Sequence, residues 1–315
     1  MKIEENISLA PFTTLKIGGV ARYFAVVSDR QELITSLKLA KEKKLPVFIL
    51  GGGSNVLISD DGFRGLVIKN EMKGASADEL EITASSGENL ANVVQVAASH
   101  SLSGLEWAVG IPGSIGGAIR GNAGAFGGSF SEAVKEAEVI DIETLGIKRF
   151  SKEDCQFGYR DSIFKKNSNL AVLSVVLEME RGEEEEIRKI MFSNIKSRAL
   201  SYNYGSKSAG CFFKNISWNH NGLNKKEFIL NFPELKKVEE KYKLPAGFLI
   251  QETGLAGKNK GGAFVSEKHC NYILNKNNAT AIDMKSLAEL CKNKVYEKFK
   301  IELEEEVQLV GEFEN

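Results

Sequence analysis

Hydrophobic and polar positions along the first seventy residues alternate between one helical period and several short apolar runs. Ser28-Asp29 stands before a helical pattern that continues to about Lys44, and Pro46 ends it. The runs Val47-Phe48-Ile49-Leu50, Val56-Leu57-Ile58 and Leu66-Val67-Ile68-Lys69 read as strands, the last two separated by the turn Asp60-Asp61-Gly62-Phe63-Arg64-Gly65. Together these predict an α/β unit closing near residue 70. A second unit is predicted from a strand at Leu80 to Ala84, a helix over Asn89 to Ser99, and strands at Glu138 to Ile142 and Leu170 to Met179, whose β-branched residues favour extended backbone.

Glu183-Glu184-Glu185-Glu186 reads as the start of a solvated helix, its charges suited to the positive end of the dipole. From about residue 190 the chain turns richer in Lys and Asn, as a third unit would. Thr280 to Lys300 carries a helical period through Ile282, Leu287, Leu290, Val295 and Phe299, with Thr280 as its cap. Ile301 to Val310 then alternates as one strand, with Ile301, Leu303, Val307 and Leu309 on one face and Glu302, Glu304, Glu306 and Gln308 on the other.

Two glycine-rich stretches interrupt this pattern. The first is Gly51-Gly52-Gly53-Ser54-Asn55, and the second runs from Gly110 through Pro112, Gly113, Ser114, Gly116, Gly117, Asn122, Ala123 and Gly124 to Gly128. Glycine at this density lets backbone N–H groups crowd a ligand. Both loops are neutral apart from Arg120, so a phosphate here is expected to rest on amide dipoles and the Ser54 and Ser114 hydroxyls. The alternative is a pair of surface loops. Neither stretch spells a P-loop or a dinucleotide fingerprint, because the Lys-Ser/Thr end is missing and Val56 stands at the third glycine. Neither spells a nucleophile elbow, since Val56 and Pro112 occupy outer positions.

The chain has 315 residues, enough for two or three cores, with 26% charged residues, 43% apolar residues and a formal net charge of -1. No basic patch is interleaved with aromatics, which argues against nucleic acid. The acidic start Met1-Lys2-Ile3-Glu4-Glu5-Asn6 and the lack of an apolar run of roughly 18 to 20 residues predict a cytosolic protein without a membrane partner. Cys155, Cys211, Cys270 and Cys291 form no C-x-x-C pair, and His100, His220 and His269 are far apart. Free thiols and no metal centre are expected.

Three places combine reactive groups with tight surroundings. Tyr159-Arg160-Asp161 sets a permanent cation beside a phenol, suited to a carboxylate or phosphate oxygen, or else Arg160 and Asp161 are a surface ion pair. Cys211, after a glycine and before Phe212-Phe213, is a half-buried acid, a nucleophile or an inert packed thiol. Glu306 is a site carboxylate or one of several solvated ones.

In this order the stretches resemble the UDP-N-acetylenolpyruvoylglucosamine reductase (MurB) family. The resemblance is carried by Leu9 to Thr14 with Ile17-Gly18-Gly19, Leu50 to Leu57, Gly104 to Trp107 leading into the long glycine loop, and Tyr159 to Ser162. It continues through Ala209 to Asn215, Gly261 to His269 and Leu303 to Gly311. It implies an α+β protein of three domains. Two form a FAD-binding fold of the vanillyl-alcohol-oxidase (PCMH) type, residues 1–70 joined by the C-terminal strand 302–315, and residues 71–185. The third, residues 190–301, is an α/β substrate-binding domain. The spacing from Phe164 to Arg198 resembles the shorter subclass without the tyrosine-bearing loop.

The resemblance further implies FAD as cofactor, NADPH as co-substrate, and the enolpyruvyl ether of a UDP-sugar as substrate, reduced to UDP-N-acetylmuramate by a monomer. Reduction pushes charge onto the substrate carboxylate, so a fixed cation there is the stabiliser the step needs. By resemblance Arg160 is that cation, Glu306 assists, Tyr159 lies by the substrate, and Lys214, Asn215 and His269 bind it. Both glycine loops would hold the flavin, so bulk at Gly116 or Gly124 is expected to cost flavin before it costs the fold. The family's proton donor is a serine, where this chain has Cys211. Two further departures are the Tyr202 to Lys207 stretch and Ile216, which replaces a usual proline.

Overall fold

The computed structural model describes residues 2–201, 205–220, 223–236 and 243–313. They form two compact units, the first from Met1–Ile7, Val20–Gly53 and Phe63–Leu200, the second from Ser8–Gly19, Ser54–Gly62 and Ser201–Asn315. This division is coarser than the three domains implied by resemblance.

The first unit holds two sheets. One orders its strands Ile3–Ser8, Val20–Val27, Phe63–Asn70 and Val47–Leu50, the last three parallel. Helix Arg30–Glu42 starts where expected, because the Asp29 carboxylate accepts the Glu32 N–H at 2.8 Å. Its buried Leu33, Leu37 and Ala40 recur at helical spacing and pack on Ala25, Val27, Leu66 and Ile68. The second sheet is antiparallel, in the order Ile147–Ser151, Val134–Asp141, Leu170–Glu178, Glu81–Ser85 and Ala75–Asp78. Helices Leu90–Ser99 and Ile115–Arg120 contribute Val93, Val94, Ala97, Ile115 and Ile119 to the same core as this sheet's Ile82, Val139 and Val175.

In the second unit, strands Ser208–Cys211, Tyr272–Asn275, Ala263–Val265 and Asn259–Lys260 form an antiparallel sheet. Helix Ala281–Phe299 shares its core and opens with a capping box between Thr280 and Asp283. Met284, Leu287, Ala288, Cys291 and Val295 form the buried stripe, and each large apolar side chain there contributes about 1.5–3 kcal/mol of burial. Ile282, expected on the apolar face, is instead exposed. It lies in the first turn, where its N–H and that of Ala281 donate to the two Asp60 carboxylate oxygens at 3.1 and 2.8 Å. A carboxylate there also meets the positive end of the helix dipole.

The expected ten-residue strand at the C-terminal end is also revised. Only Gln308–Val310 is a strand, parallel to Val56–Ile58, with a separate bridge between Glu305 and Phe213. The alternation survives the break, since Ile301, Leu303 and Val307 are buried while Glu302 and Glu304 are exposed. Among the described residues no helix is long and apolar enough to cross a membrane.

Candidate functional site

In the first unit the two glycine stretches meet backbone to backbone. A Cβ on Gly51 would lie 2.3 Å from Ser114 Oγ, and one on Gly52 would lie 2.6 Å from Gly113 Cα. The approach of Gly52 to Gly113 exists only where both partners lack side chains, and Gly113 has φ of 127°, a backbone region that glycine alone enters readily. The Ser114 oxygen accepts the Gly117 N–H at 3.4 Å and so caps helix Ile115–Arg120.

The reading of a neutral cradle missed Lys69. Its Nζ donates to the Gly51 carbonyl at 2.5 Å from a position 18 residues away, and burial pushes its pKa below the ordinary value. A trans peptide carries C=O and N–H in opposite directions, so turning the Gly51 carbonyl to Lys69 turns the Gly52 N–H away from it. Lys73 similarly donates to Gly87 O at 2.6 Å, in a turn that receives the Ile115 and Gly116 N–H groups on Glu88 O and Ser86 O. Amide groups, a hydroxyl, flanking ammonium groups and no room for side chains fit the diphosphate of FAD.

Two expectations about this cradle change. A Cβ at Gly116 would meet Ser86 Cβ at 2.8 Å and Ser86 O at 2.9 Å, and one at Gly124 would meet Gly128 O at 2.5 Å. Bulk at either position strains the fold itself. Gly117 differs, being exposed, with only Ser114 Oγ at 3.5 Å from its Cβ direction. Pro112 and Gly110 are both exposed, the latter with φ of 75°. The Ala123 N–H donates to Ala118 O at 2.8 Å. Gly53 is buried in the first unit, whereas Ser54 and Asn55 belong to the second.

Arg160 occupies the second position of a two-residue hairpin whose ends, Gly158 and Asp161, exchange backbone hydrogen bonds at 2.9 and 3.2 Å. Its φ is 53°, a left-handed conformation costly for a side chain of this size. The guanidinium explains how the turn persists: Nη2 donates to Gly124 O at 2.6 Å and Nη1 to Asn122 O at 3.4 Å. The group also lies 5.5 Å from the centre of the Tyr159 ring, which is exposed. The Asp161 carboxylate pairs with Lys166 at 3.2 Å.

The second unit joins another group of candidates. Cys211 ends strand Ser208–Cys211 opposite Tyr272, and the next residue accepts the Glu306 N–H on Phe212 O at 2.8 Å. Lys214 N–H donates to Glu304 O at 2.8 Å, and the Lys214 ammonium pairs with the Glu304 carboxylate. Asn55 Nδ2 donates to Glu306 O at 3.1 Å, so this residue of the first glycine stretch fastens the Glu306 segment. Asn215 Oδ1 accepts the Ala246 N–H at 3.2 Å at the start of helix Ala246–Glu252. His269 packs edge-on to Tyr272 at 5.0 Å, and burial lowers its pKa.

Asn271 escaped the sequence reading. It is buried, and its amide accepts the Phe213 N–H at 2.9 Å and donates to Phe213 O at 2.8 Å, closing the ladder beside Cys211. The available signal was a lone amide inside Cys270-Asn271-Tyr272-Ile273-Leu274. Ile216 exchanges two backbone bonds with Leu244, both 2.9 Å, one of which a proline could not donate. In the departing stretch 202–207, residues 202–204 lie outside the described residues.

The C-terminal domain model of UDP-N-acetylenolpyruvoylglucosamine reductase matches residues 202–310, and an FAD binding domain model matches residues 21–144. The reductase of Caldanaerobacter subterraneus subsp. tengcongensis is 36% identical over 312 residues, covering 99% of this chain and 94% of its own. This chain belongs to the UDP-N-acetylenolpyruvoylglucosamine reductase family. A reductase of Synechococcus sp. is 37% identical over 317 residues, covering 100% of this chain and 93% of its own. The crystal structure of the Thermus caldophilus reductase superposes with a TM-score of 0.77 at 31% identity, covering 99% and 100% of the two chains. The mixed α/β architecture, with an FAD-binding part and the family's C-terminal domain, is therefore that of the reductase family.

Proposed function

We propose that this chain carries out its family's NADPH-dependent reduction with the residue roles that follow. Family membership gives the activity, an FAD-dependent reductase of peptidoglycan-precursor synthesis. Bound FAD supplies a carrier that takes hydride from NADPH and gives it to the enolpyruvyl double bond. In this reading the substrate is UDP-N-acetyl-3-O-(1-carboxyvinyl)glucosamine and the product UDP-N-acetylmuramate.

Arg160 neutralises the charge that develops on the substrate carboxylate, and its fixed fork needs no reorganisation as the charge grows. Tyr159 borders the same group. Cys211 donates the proton to the neighbouring carbon, and Glu306 assists at the carboxylate. Lys214, Asn215 and His269 bind the sugar nucleotide, and the glycine stretches, Asn122 apart, hold the flavin diphosphate. The observation that supports these roles is the 2.8 Å bond from Glu306 N–H to Phe212 O, which sets the acid and the carboxylate on adjacent segments of one unit. The shorter subclass, the three-domain division, a monomeric state and a cytosolic location complete the reading.

Rapid mixing tests it. Arg160→Lys keeps the charge and loses the planar fork, so flavin reduction by NADPH stays at the native rate while reoxidation by the enolpyruvyl ether slows about 10²-fold or more. Equal slowing of both half-reactions would remove Arg160 from the carboxylate.

A further inference from the structure

Asn122 is the residue through which the Arg160 turn and the glycine-rich segment are joined. Three hydrogen bonds tie residues 158–161 to 122–124. Asn122 Nδ2 donates to Gly158 O at 2.8 Å, Arg160 Nη1 donates to Asn122 O at 3.4 Å, and Arg160 Nη2 donates to Gly124 O at 2.6 Å. Asn122 takes part in two of them, once through its side chain and once through its carbonyl. Its Oδ1 meanwhile accepts the Ser131 N–H at 2.9 Å, beyond the far arm of the hairpin that pairs Gly124–Ala125 with Gly128–Ser129.

The residue is 5% exposed and has φ of 42°, a left-handed conformation that asparagine tolerates better than most side chains. Both polar atoms of its side chain are thus committed to backbone groups of this chain. We infer that Asn122 is a positioning residue for the guanidinium of Arg160 rather than a ligand of the flavin. This rests on the reading of Arg160 as the cation at the substrate carboxylate.

The physical reason is the strain in the turn. Gly158 and Asp161 close a hairpin that forces Arg160 into a left-handed conformation, and such a residue persists only where its surroundings over-determine it. The Asn122 amide holds the first carbonyl of that hairpin, and the Asn122 carbonyl holds one arm of the fork. Without the amide the turn can relax, and the fork loses the alignment on which carboxylate stabilisation depends.

Asn122→Gly removes both side-chain bonds while keeping the carbonyl and allowing the positive φ. Rapid mixing of the FAD-loaded variant should show native flavin reduction by NADPH and native flavin content, with reoxidation by the enolpyruvyl substrate slowed about tenfold or more. The slowing should fall on the limiting rate rather than on the concentration dependence. In the Arg160→Lys background the same change should cost little further, because residues acting as a unit are not additive. Hydrogen exchange of the Asp161 amide should speed up in Asn122→Gly, a readout that needs no turnover. Unchanged reoxidation, or loss of flavin with equal slowing of both half-reactions, overturns the inference. If the native protein fails to reduce the enolpyruvyl ether, the proposed function falls, while an unchanged Asp161 exchange rate still sinks the positioning role separately.

Discussion

Gly116 and Gly117 are neighbours on one short helix, yet adding a methyl group to each should act in opposite directions. At Gly116 the new carbon would meet Ser86 Cβ at 2.8 Å and Ser86 O at 2.9 Å. Ordinary carbon contacts begin near 3.5 Å, so the segments must separate by roughly 0.7 Å. That displacement also stretches the bond from Gly116 N–H to Ser86 O, now 2.8 Å. Overpacking of this kind costs about 1–3 kcal/mol, and in a unit of this size each kcal/mol lowers Tm by about 2–4 °C. At Gly117 the carbon meets only Ser114 Oγ, at 3.5 Å. Alanine there gains about 0.5–1 kcal/mol of helix propensity.

Thermal unfolding of the flavin-free proteins should therefore place Gly116→Ala several degrees below native and Gly117→Ala at or slightly above it. Flavin fluorescence titration should then show weaker FAD binding by Gly117→Ala despite its intact fold, since the methyl group projects outward from the capped helix start. If Gly117→Ala binds FAD as tightly as native protein, residues 113–117 are not the diphosphate cradle. If Gly116→Ala melts like native protein, the close approach to Ser86 is absent in solution.

Cys155 and Cys291 are buried, with thiols pushed up to about 12, and burial also raises Cys270, while Cys211 is half-buried. A small alkylating reagent near pH 8 should label one thiol, Cys211, with loss of activity and protection by the sugar nucleotide; mass spectrometry finding another site first refutes this. Cys211→Ala should lose about 10²- to 10⁴-fold in reoxidation while Cys211→Ser keeps substantial activity, and a normal rate for the alanine variant would remove the thiol from catalysis. His269 is held by burial below its ordinary 6.5, so the folded protein favours the neutral ring and the unfolded chain the charged one. Its contribution is complete above about 6.5 and is lost as pH falls through the folded value, so His269→Gln should flatten the acid limb of a denaturant-midpoint profile; parallel profiles would show that His269 does not shape it.

Local chemistry made much of this fold legible. Asp29 and Thr280 mark helix starts because a short side chain before an amphipathic run can take the orphaned N–H groups, and both do so. Val56–Ile58 was legible as a short apolar run, but its partner was not, because the choice of Gln308–Val310 depends on the tertiary path. Strand Val20–Val27 went unread for a related reason: buried small residues, Ala21 and Ala25, occupy positions where a strand signal needs bulk. In the site, glycine density announced the close backbone approach of Gly52 to Gly113. Lys69 and Asn271 did not announce themselves, since each acts through a backbone group distant in sequence. The roles of Asn55 and Asn122 are equally remote from what their neighbours in the chain suggest.

The second unit is assembled from three separated stretches, and this sets the order in which it can be completed as the chain emerges from the ribosome. Asn55 and Glu306, joined by a side-chain bond, are 251 residues apart. At roughly 5–20 residues per second, strand Val56–Ile58 waits on the order of 10–50 s for Gln308–Val310. Meanwhile the first unit, whose last segment ends at Leu200, can already fold. During that interval three apolar residues stand as an unpaired edge, an exposure that a chaperone or a neighbouring nascent chain could meet. Chains stopped before residue 308 keep that edge permanently, so premature termination here yields an aggregation-prone fragment rather than a smaller stable protein.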